Sequence, residues 1–194
     1  MEKELPKQRI VLDNQGMSKT LNFNKKWQIL LFWKEDVDLD LMLFYKTVDD
    51  KEGGVFDSAY NNNRESLGSL DKFPFIMQYG CDGHIPGFQE NWDEIIVKKI
   101  DDSIREMYIL IVSYESADEN SSVNYASYKC RLIFLLNEEY NLEIPVNSPT
   151  KGIAYVICKI ENSEGDIKII NESKCVSLED AYNNIPGFKL ICIN

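Results

Sequence analysis

Hydrophobic and polar residues alternate along most of this chain with the period of two that is typical of β-strands. The clearest example is residues 36–44, in which four aliphatic residues share one face of the predicted strand: Val37, Leu39, Leu41 and Leu43. The opposite face begins with three aspartates and continues with two large apolar residues: Asp36, Asp38, Asp40, Met42 and Phe44. Because aspartate is depleted in strands, two of them beside a strong apolar stripe indicate a function for the carboxylates.

Similar β-prone runs, separated by turn signals, recur along the whole chain. They lie at residues 9–12, 20–23, 27–33, 55–60, 74–79, 94–100, 107–114, 128–136, 142–146, 152–160 and 167–170. We expect the first two runs to pair with each other, the strand at 36–45 to form a hairpin with 55–60, and the runs at 27–33, 107–114 and 152–160 to be central strands. Ser177, with Asp180 three residues later, is an N-cap signature for one short helix. The predicted fold is all-β, an antiparallel β-sandwich with one or two short helices.

Length and composition agree with a folded domain. The chain has 194 residues, which we expect to form a single domain over 1–194, and 44% of them are hydrophobic. A net charge of −11 therefore does not indicate disorder, but it bears on the partners. An anionic surface repels phosphate backbones and anionic lipid and attracts cations, so no nucleic-acid partner is expected.

The first residues are charged and lack the apolar region of a signal peptide, and no apolar run approaches the length of a membrane span. We therefore expect a cytoplasmic protein that does not insert into membranes. The chain has five cysteines, widely spaced and without a C-x-x-C pair, and one histidine, His84. This pattern favours free thiols and disfavours a disulfide framework or a structural zinc site.

A second acidic segment, residues 80–94, combines bends with oxygen donors. Gly80, Gly83 and Gly87 allow the chain to turn. Oxygen-bearing side chains lie towards both ends of the segment, at Asp82, Glu90, Asn91, Asp93 and Glu94. Calcium takes about six to eight oxygen ligands from carboxylates, amides and carbonyls. Together with the strand aspartates, this segment makes a bound cation one interpretation. The alternative is a solvated acidic loop on an acidic protein, and the spacing is not that of an EF-hand.

The order of these features resembles the TerD family of tellurium-resistance and stress proteins. The resemblance covers about residues 8–170 and rests most on Asp38-Leu39-Asp40 combined with the glycine-rich segment that closes on Asp93-Glu94-Ile95. It implies a calcium-binding β-sandwich without enzymatic activity, which acts in a stress response through other stress-response proteins that the family places near membranes. The calcium ligands that the resemblance implies are Asp38, Asp40, Asp82, Asn91, Asp93 and Glu94. The middle of the segment departs from the family pattern, because Cys81 stands where the first loop aspartate is expected.

Two other functions compete with this interpretation. A carboxylate-dependent hydrolase could use Asp82 or Glu90 together with Asp93, provided that one pKa is raised. No cysteine or serine pairs with a histidine in a recognisable nucleophile motif, and there is no phosphate-binding G-x-x-x-x-G-K-[ST] sequence. The resemblance also allows a small-ligand module similar to cyclic-nucleotide-binding relatives, in which calcium would bridge the phosphate to the acidic segment.

Overall fold

The computed structural model of the protein describes residues 9–22, 26–57, 64–79, 90–113, 121–136, 140–163 and 166–192. In these ranges the chain is mostly β-strand, and two sheets pack face to face, which confirms the predicted all-β sandwich. Sheet A contains β1 (Arg9–Val11), β3 (Trp27–Trp33), β6 (Gly68–Ser69), β7 (Ile76–Tyr79), β8 (Asn91–Val97), β10 (Arg131–Leu136) and β11 (Tyr140–Pro145). Sheet B contains β2 (Ser18–Asn22), β4 (Leu39–Thr47), β5 (Glu52–Val55), β9 (Ile104–Ser113), β12 (Ala154–Ser163) and β13 (Asp166–Val176).

The predicted central strands are central in the sheets. The strand order is β1-β11-β10-β3-β8-β7-β6 in sheet A and β2-β13-β12-β9-β4-β5 in sheet B. All of these pairs are antiparallel except β1 with β11. A hairpin forms between β4 and β5, with Leu43 opposite Val55, but its turn is shorter than predicted. β5 covers Glu52–Val55, so the predicted second strand at 55–60 shares only Val55 with it, and residues 58–60 lie outside the described ranges.

The prediction that the first two strands pair with each other is wrong. β1 pairs with β11 in sheet A, and β2 pairs with β13 in sheet B. The chain crosses from one sheet to the other between them, at a turn in which Gly16 has a φ of +85°. Asn171 holds this crossing, because its Nδ2 donates to the carbonyl of Leu12 at 2.6 Å and its carbonyl accepts from the amide of Gly16 at 2.8 Å. The turn between β1 and β2 therefore connects the two sheets and does not join two neighbouring strands of one sheet.

Two apolar cores explain the residue pattern of β4. Leu39, Leu41 and Leu43 lie in the main core between the sheets. Met42 and Phe44 face the other way and are also buried, because the C-terminal segment covers that face of sheet B. The change from aspartates to Met42 and Phe44 along this outer face agrees with the sequence pattern.

The C-terminal segment consists of helix α1 (Leu178–Asn184) and a 3-10 helix (Phe188–Cys192). As predicted, Ser177 caps α1, and its side chain accepts from the amide of Asp180 at 3.0 Å. Two further 3-10 helices cover Arg64–Leu67 and Tyr125–Tyr128. No helix in the described part of the chain is long and apolar enough to cross a membrane.

Three of the cysteines are described as free thiols, Cys130, Cys158 and Cys175. Burial raises the pKa of the Cys130 thiol to about 12, and it raises the pKa of Cys158 well above its usual value. Both side chains are therefore neutral and contribute to the core as small apolar groups.

Candidate functional site

The two acidic segments meet at one corner of the sandwich, which we call the acidic corner and define as residues 35–40 and 90–93. Asn91 Nδ2 donates to the carbonyl oxygen of Glu35 at 3.0 Å. The Oδ2 atom of Asp93 accepts from the backbone amide of Leu41 at 3.0 Å. Since β8 belongs to sheet A and β4 to sheet B, this bond joins the two sheets. The fold thus brings together two segments that lie about fifty residues apart in the sequence.

Asp93 lies in the interior of the corner, with 6% of its surface exposed. Besides Leu41, its Oδ2 accepts from Gln78 Nε2 at 3.1 Å, and its Oδ1 accepts from the amide of Glu94 at 2.8 Å. The amide of Leu41 needs such a partner because β5 ends at Val55, opposite Leu43, and does not extend as far as Leu41. The carboxylate of Asp93 therefore accepts the hydrogen bond that a longer β5 would otherwise accept from Leu41.

Gln78 supplies a second buried oxygen beside Asp93. Its side chain is 3% exposed, and its Oε1 has no hydrogen-bond partner among the described residues. A buried amide oxygen without a donor is costly, so this site favours an additional donor or a cation. Amide oxygens are among the ligands that calcium accepts.

The strand aspartates lie on the opposite side of β4 from the main core. Asp38 is exposed, and Asp40 is partly buried on the face that it shares with Met42. Asp93 is bonded to the backbone amide that directly follows Asp40, so the two carboxylates flank the same peptide group. A cation that both carboxylates could reach would be attracted to their negative charges.

Glu94 does not share this arrangement, because consecutive side chains of a strand project to opposite faces. It faces the outside of sheet A and accepts from Gln28 Nε2 at 2.6 Å. Its cross-strand neighbours are Leu30 and Tyr79. An ion held by Asp93 would therefore be out of reach of Glu94, although the two residues are adjacent in the sequence.

Basic side chains pair with two carboxylates of the acidic corner, Glu90 and Glu35. Arg131 forms two bonds to Glu90, of 3.0 and 2.6 Å, and Lys34 lies 3.7 Å from the same carboxylate. The hydrogen bond from Arg131 is the main reason why the pKa of Glu90 is lowered. Lys129 lies 3.4 Å from Glu35 in the same way. These cations and Gln78 were not predicted, because nothing in their local sequence distinguishes them from ordinary strand and loop residues.

The remaining predicted ligand, Asp82, lies outside the described residues, as do Cys81 and His84. Within the described ranges, no three aspartate, glutamate, histidine or cysteine side chains gather closely enough to hold a metal ion. Asp38, Asp40, Asp93 and Glu94 therefore do not form the predicted site by themselves. A calcium site at this corner requires oxygen atoms beyond these four carboxylates.

Comparison with known proteins bears on the fold. No family model and no curated protein matches the chain. One solved structure that matches is the crystal structure of SAV2460, a protein of unknown function. The two chains share 11% of their residues with a TM-score of 0.53, and the alignment covers 78% of this chain and 92% of the other. At this identity the likeness shows a common fold and nothing about activity.

Proposed function

We propose that this protein is a non-enzymatic, calcium-responsive binding module of the TerD type, acting in the cytoplasm through protein partners in a tellurium-resistance-like stress response. The proposal depends mainly on one observation, the meeting of the two acidic segments at the acidic corner. The resemblance to TerD proteins rests on the Asp-Leu-Asp strand and the segment that ends at Asp93. The bond of Asp93 to the amide of Leu41 joins these two parts of the chain.

The proposed ion is held by oxygen atoms on both sides of the corner. Asp93 supplies a carboxylate from between the sheets and Gln78 supplies the amide oxygen that lacks a donor among the described residues. Asp40 supplies a second carboxylate from the outer side of β4, across the strand edge that β5 leaves uncovered. Asp38, Asn91 and Asp82 complete the set that the sequence implies, whereas Glu94 is left out because it faces the outside of sheet A. Bound calcium would neutralise the carboxylates and link sheet A to sheet B, and it would contribute about 2.7 kcal/mol of stability at a hundredfold excess over Kd.

The environment of Glu90 and Asp93 supports a binding role over a hydrolytic one. A general acid must be protonated at working pH, but the bond from Arg131 lowers the pKa of Glu90. Asp93 accepts from Leu41, Gln78 and Glu94, and this set of donors fixes its carboxylate between the sheets. Both groups are therefore engaged in holding the fold together.

Thermal unfolding in calcium, magnesium and chelator tests the proposal. We expect calcium to raise the melting temperature by about 5 to 10 °C and magnesium to raise it much less, since magnesium dehydrates reluctantly. Asp40→Asn should reduce the calcium response and slightly raise the stability in chelator, because it removes one repelling charge. Asp166→Asn removes the same charge from an exposed position at the start of β13 and should leave the response unchanged. Equal melting temperatures of the parent in calcium and in chelator would refute a calcium-responsive module.

A further inference from the structure

Polar side chains interrupt the core-facing side of β13. Ile167 and Ile169 of this strand lie in the main core. The alternation of buried positions continues at Asn171 and Ser173, and Asn171 lies opposite Cys158, which is also in the main core. Asn171 is 0% exposed and Ser173 is 7% exposed. An amide and a hydroxyl at positions where the pattern predicts aliphatic residues are costly unless their polar atoms have hydrogen-bond partners.

Asn171 is held in place by the crossing between the two sheets. Its Nδ2 donates to the carbonyl of Leu12, and its backbone amide donates to the carbonyl of Met17 at 2.9 Å. Its own carbonyl accepts from the amide of Gly16. These bonds fix the direction of the side chain and hold Oδ1 in the interior, where it has no hydrogen-bond partner among the described residues. Oδ1 therefore needs a donor that its strand neighbours do not supply.

Ser173 lies at an irregularity of sheet B. The register of β12 with β13 shifts between Val156 and Cys158, opposite this residue, and Ser173 has a φ of +34°. A positive φ is uncommon for a residue with a Cβ, and such positions are often found at binding sites. The Oγ atom of Ser173 also has no hydrogen-bond partner within the described ranges.

The hydroxyl group of Tyr155 is a neighbour of Ser173. Burial raises the pKa of Tyr155, and the hydroxyl of Ser173 opposes this rise, so the two groups lie close together. Tyr155 is 0% exposed, and its Oη accepts from the amide of Ser148 at 3.4 Å. We call Asn171 Oδ1, Ser173 Oγ and Tyr155 Oη the buried polar cluster. It contains oxygen atoms from two neighbouring strands and lies inside the sandwich.

We propose that the buried polar cluster binds one internal water molecule, which donates to Asn171 Oδ1 and bonds to Ser173 Oγ beside Tyr155. Residues i and i+2 of a strand are about 6.5 Å apart, and a molecule that forms two bonds of about 2.8 Å can bridge side chains at this spacing. Water fits because it both donates and accepts. A metal cation is disfavoured because all three oxygen atoms are neutral, and an anion is disfavoured because only hydroxyl donors face it.

The water links two irregular parts of the fold. Through Asn171 it is connected to the turn at Gly16, where the chain crosses between the sheets, and through Ser173 to the shift in register between β12 and β13. Neither connection involves the acidic corner, so the inference is independent of the proposed function and does not require calcium.

A high-resolution crystal structure of the full chain, grown in chelator, tests the site directly. We expect electron density for one water molecule at about 2.7 to 3.2 Å from both Asn171 Oδ1 and Ser173 Oγ. Three results would each overturn the proposal: no density at this position, a protein group bonded to both oxygen atoms, or a direct hydrogen bond between the two side chains.

Ser173→Ala tests the same site by the sign of its effect, because it keeps the Cβ and therefore the backbone strain. If the hydroxyl bonds to a water, its loss should raise the equilibrium constant of unfolding about tenfold, measured by urea denaturation in chelator. If the hydroxyl is unpaired, its loss relieves a buried polar group and should leave the constant unchanged or lower it. An unchanged or lower constant would therefore overturn the proposal.

Ser18→Ala is the matched control, because it removes a hydroxyl from an exposed position of β2 and should leave the unfolding constant within about twofold of the parent. Should Ser173→Ala not fold, the crystal structure of the parent decides the question alone. Since both measurements are made in chelator, failure here is distinguishable from failure of the calcium response.

Discussion

Asp93 and Asp40 are both aspartates of the acidic corner, but they differ in their contribution to the stability of the fold. Asp93 accepts from three donors in the interior, whereas Asp40 lies on the outer side of β4. In chelator, Asp93→Asn should lower the free energy of unfolding by about 2 kcal/mol, because an amide cannot accept all three bonds. Asp40→Asn, the matched control, should leave it unchanged or slightly higher. Urea denaturation of both variants measures this, and equal losses would contradict the role given to Asp93.

Glu90 makes a pH-dependent contribution to stability. Its bond to Arg131 lowers the folded-state pKa below the usual value of 4.5, so the stabilisation is complete above that pH and disappears as the pH falls through the folded-state pKa. Glu90→Gln should therefore cost about 1 kcal/mol at pH 7 and almost nothing in strong acid. Asp71→Asn breaks an ion pair in which the carboxylate is 96% exposed and should change little at any pH. A cost of Glu90→Gln that is independent of pH would show that packing, and not charge, is lost.

At the scale of elements, the attachment of the C-terminal segment to sheet B depends on a close backbone contact. Gly187 has a φ of +79°, and a Cβ at this position would lie 2.4 Å from the carbonyl oxygen of Gly53. Gly187→Ala should cost about 3 kcal/mol, from backbone strain together with this clash. Gly16→Ala should cost about 1 kcal/mol, because Gly16 has a similar φ of +85° and no atom near the added methyl group.

Urea denaturation compares these two variants, and binding of a hydrophobic dye reports whether Phe44 and Phe188 become exposed. Phe188 is 1% exposed, and its ring centroid lies 5.7 Å from that of Phe44. We expect dye binding to increase in Gly187→Ala alone. If the two alanine variants lost the same stability and bound no dye, the contact between Gly187 and Gly53 would not be what holds the segment on the sheet.

The elements show which parts of the fold can be read from sequence. β3 and β4 were predictable because alternation is a local property, and the start of α1 was predictable because Ser177 and Asp180 form a local cap. The partners of β1 and β2 were not, since a turn signal between two strands carries no information about β11 and β13. The second core under α1 was also missed, because the apolar residues that cover Met42 and Phe44 lie more than a hundred residues away.

The acidic corner exists only because the two sheets pack together, since its residues come from both β4 of sheet B and β8 of sheet A. A resemblance to known proteins was enough to associate the strand aspartates with Asp93, and the fold bonds Asp93 to the amide of Leu41, the residue after Asp40. It could not show that Glu94 faces the outside of sheet A, or that Gln78 lies beside Asp93, because these depend on the register of β8 with β3 and β7. The cations at the rim come from β10 and from the ends of neighbouring loops, which only the folded arrangement relates to the corner.

We propose that calcium binds at the acidic corner, and calorimetric titration of the chelator-stripped protein measures this binding. We expect saturable binding of one calcium ion per chain, much weaker binding of magnesium, and a larger Kd for calcium in Asp40→Asn than in Asp166→Asn. No saturable heat up to millimolar calcium, or identical isotherms for the parent and Asp40→Asn, would contradict the claim.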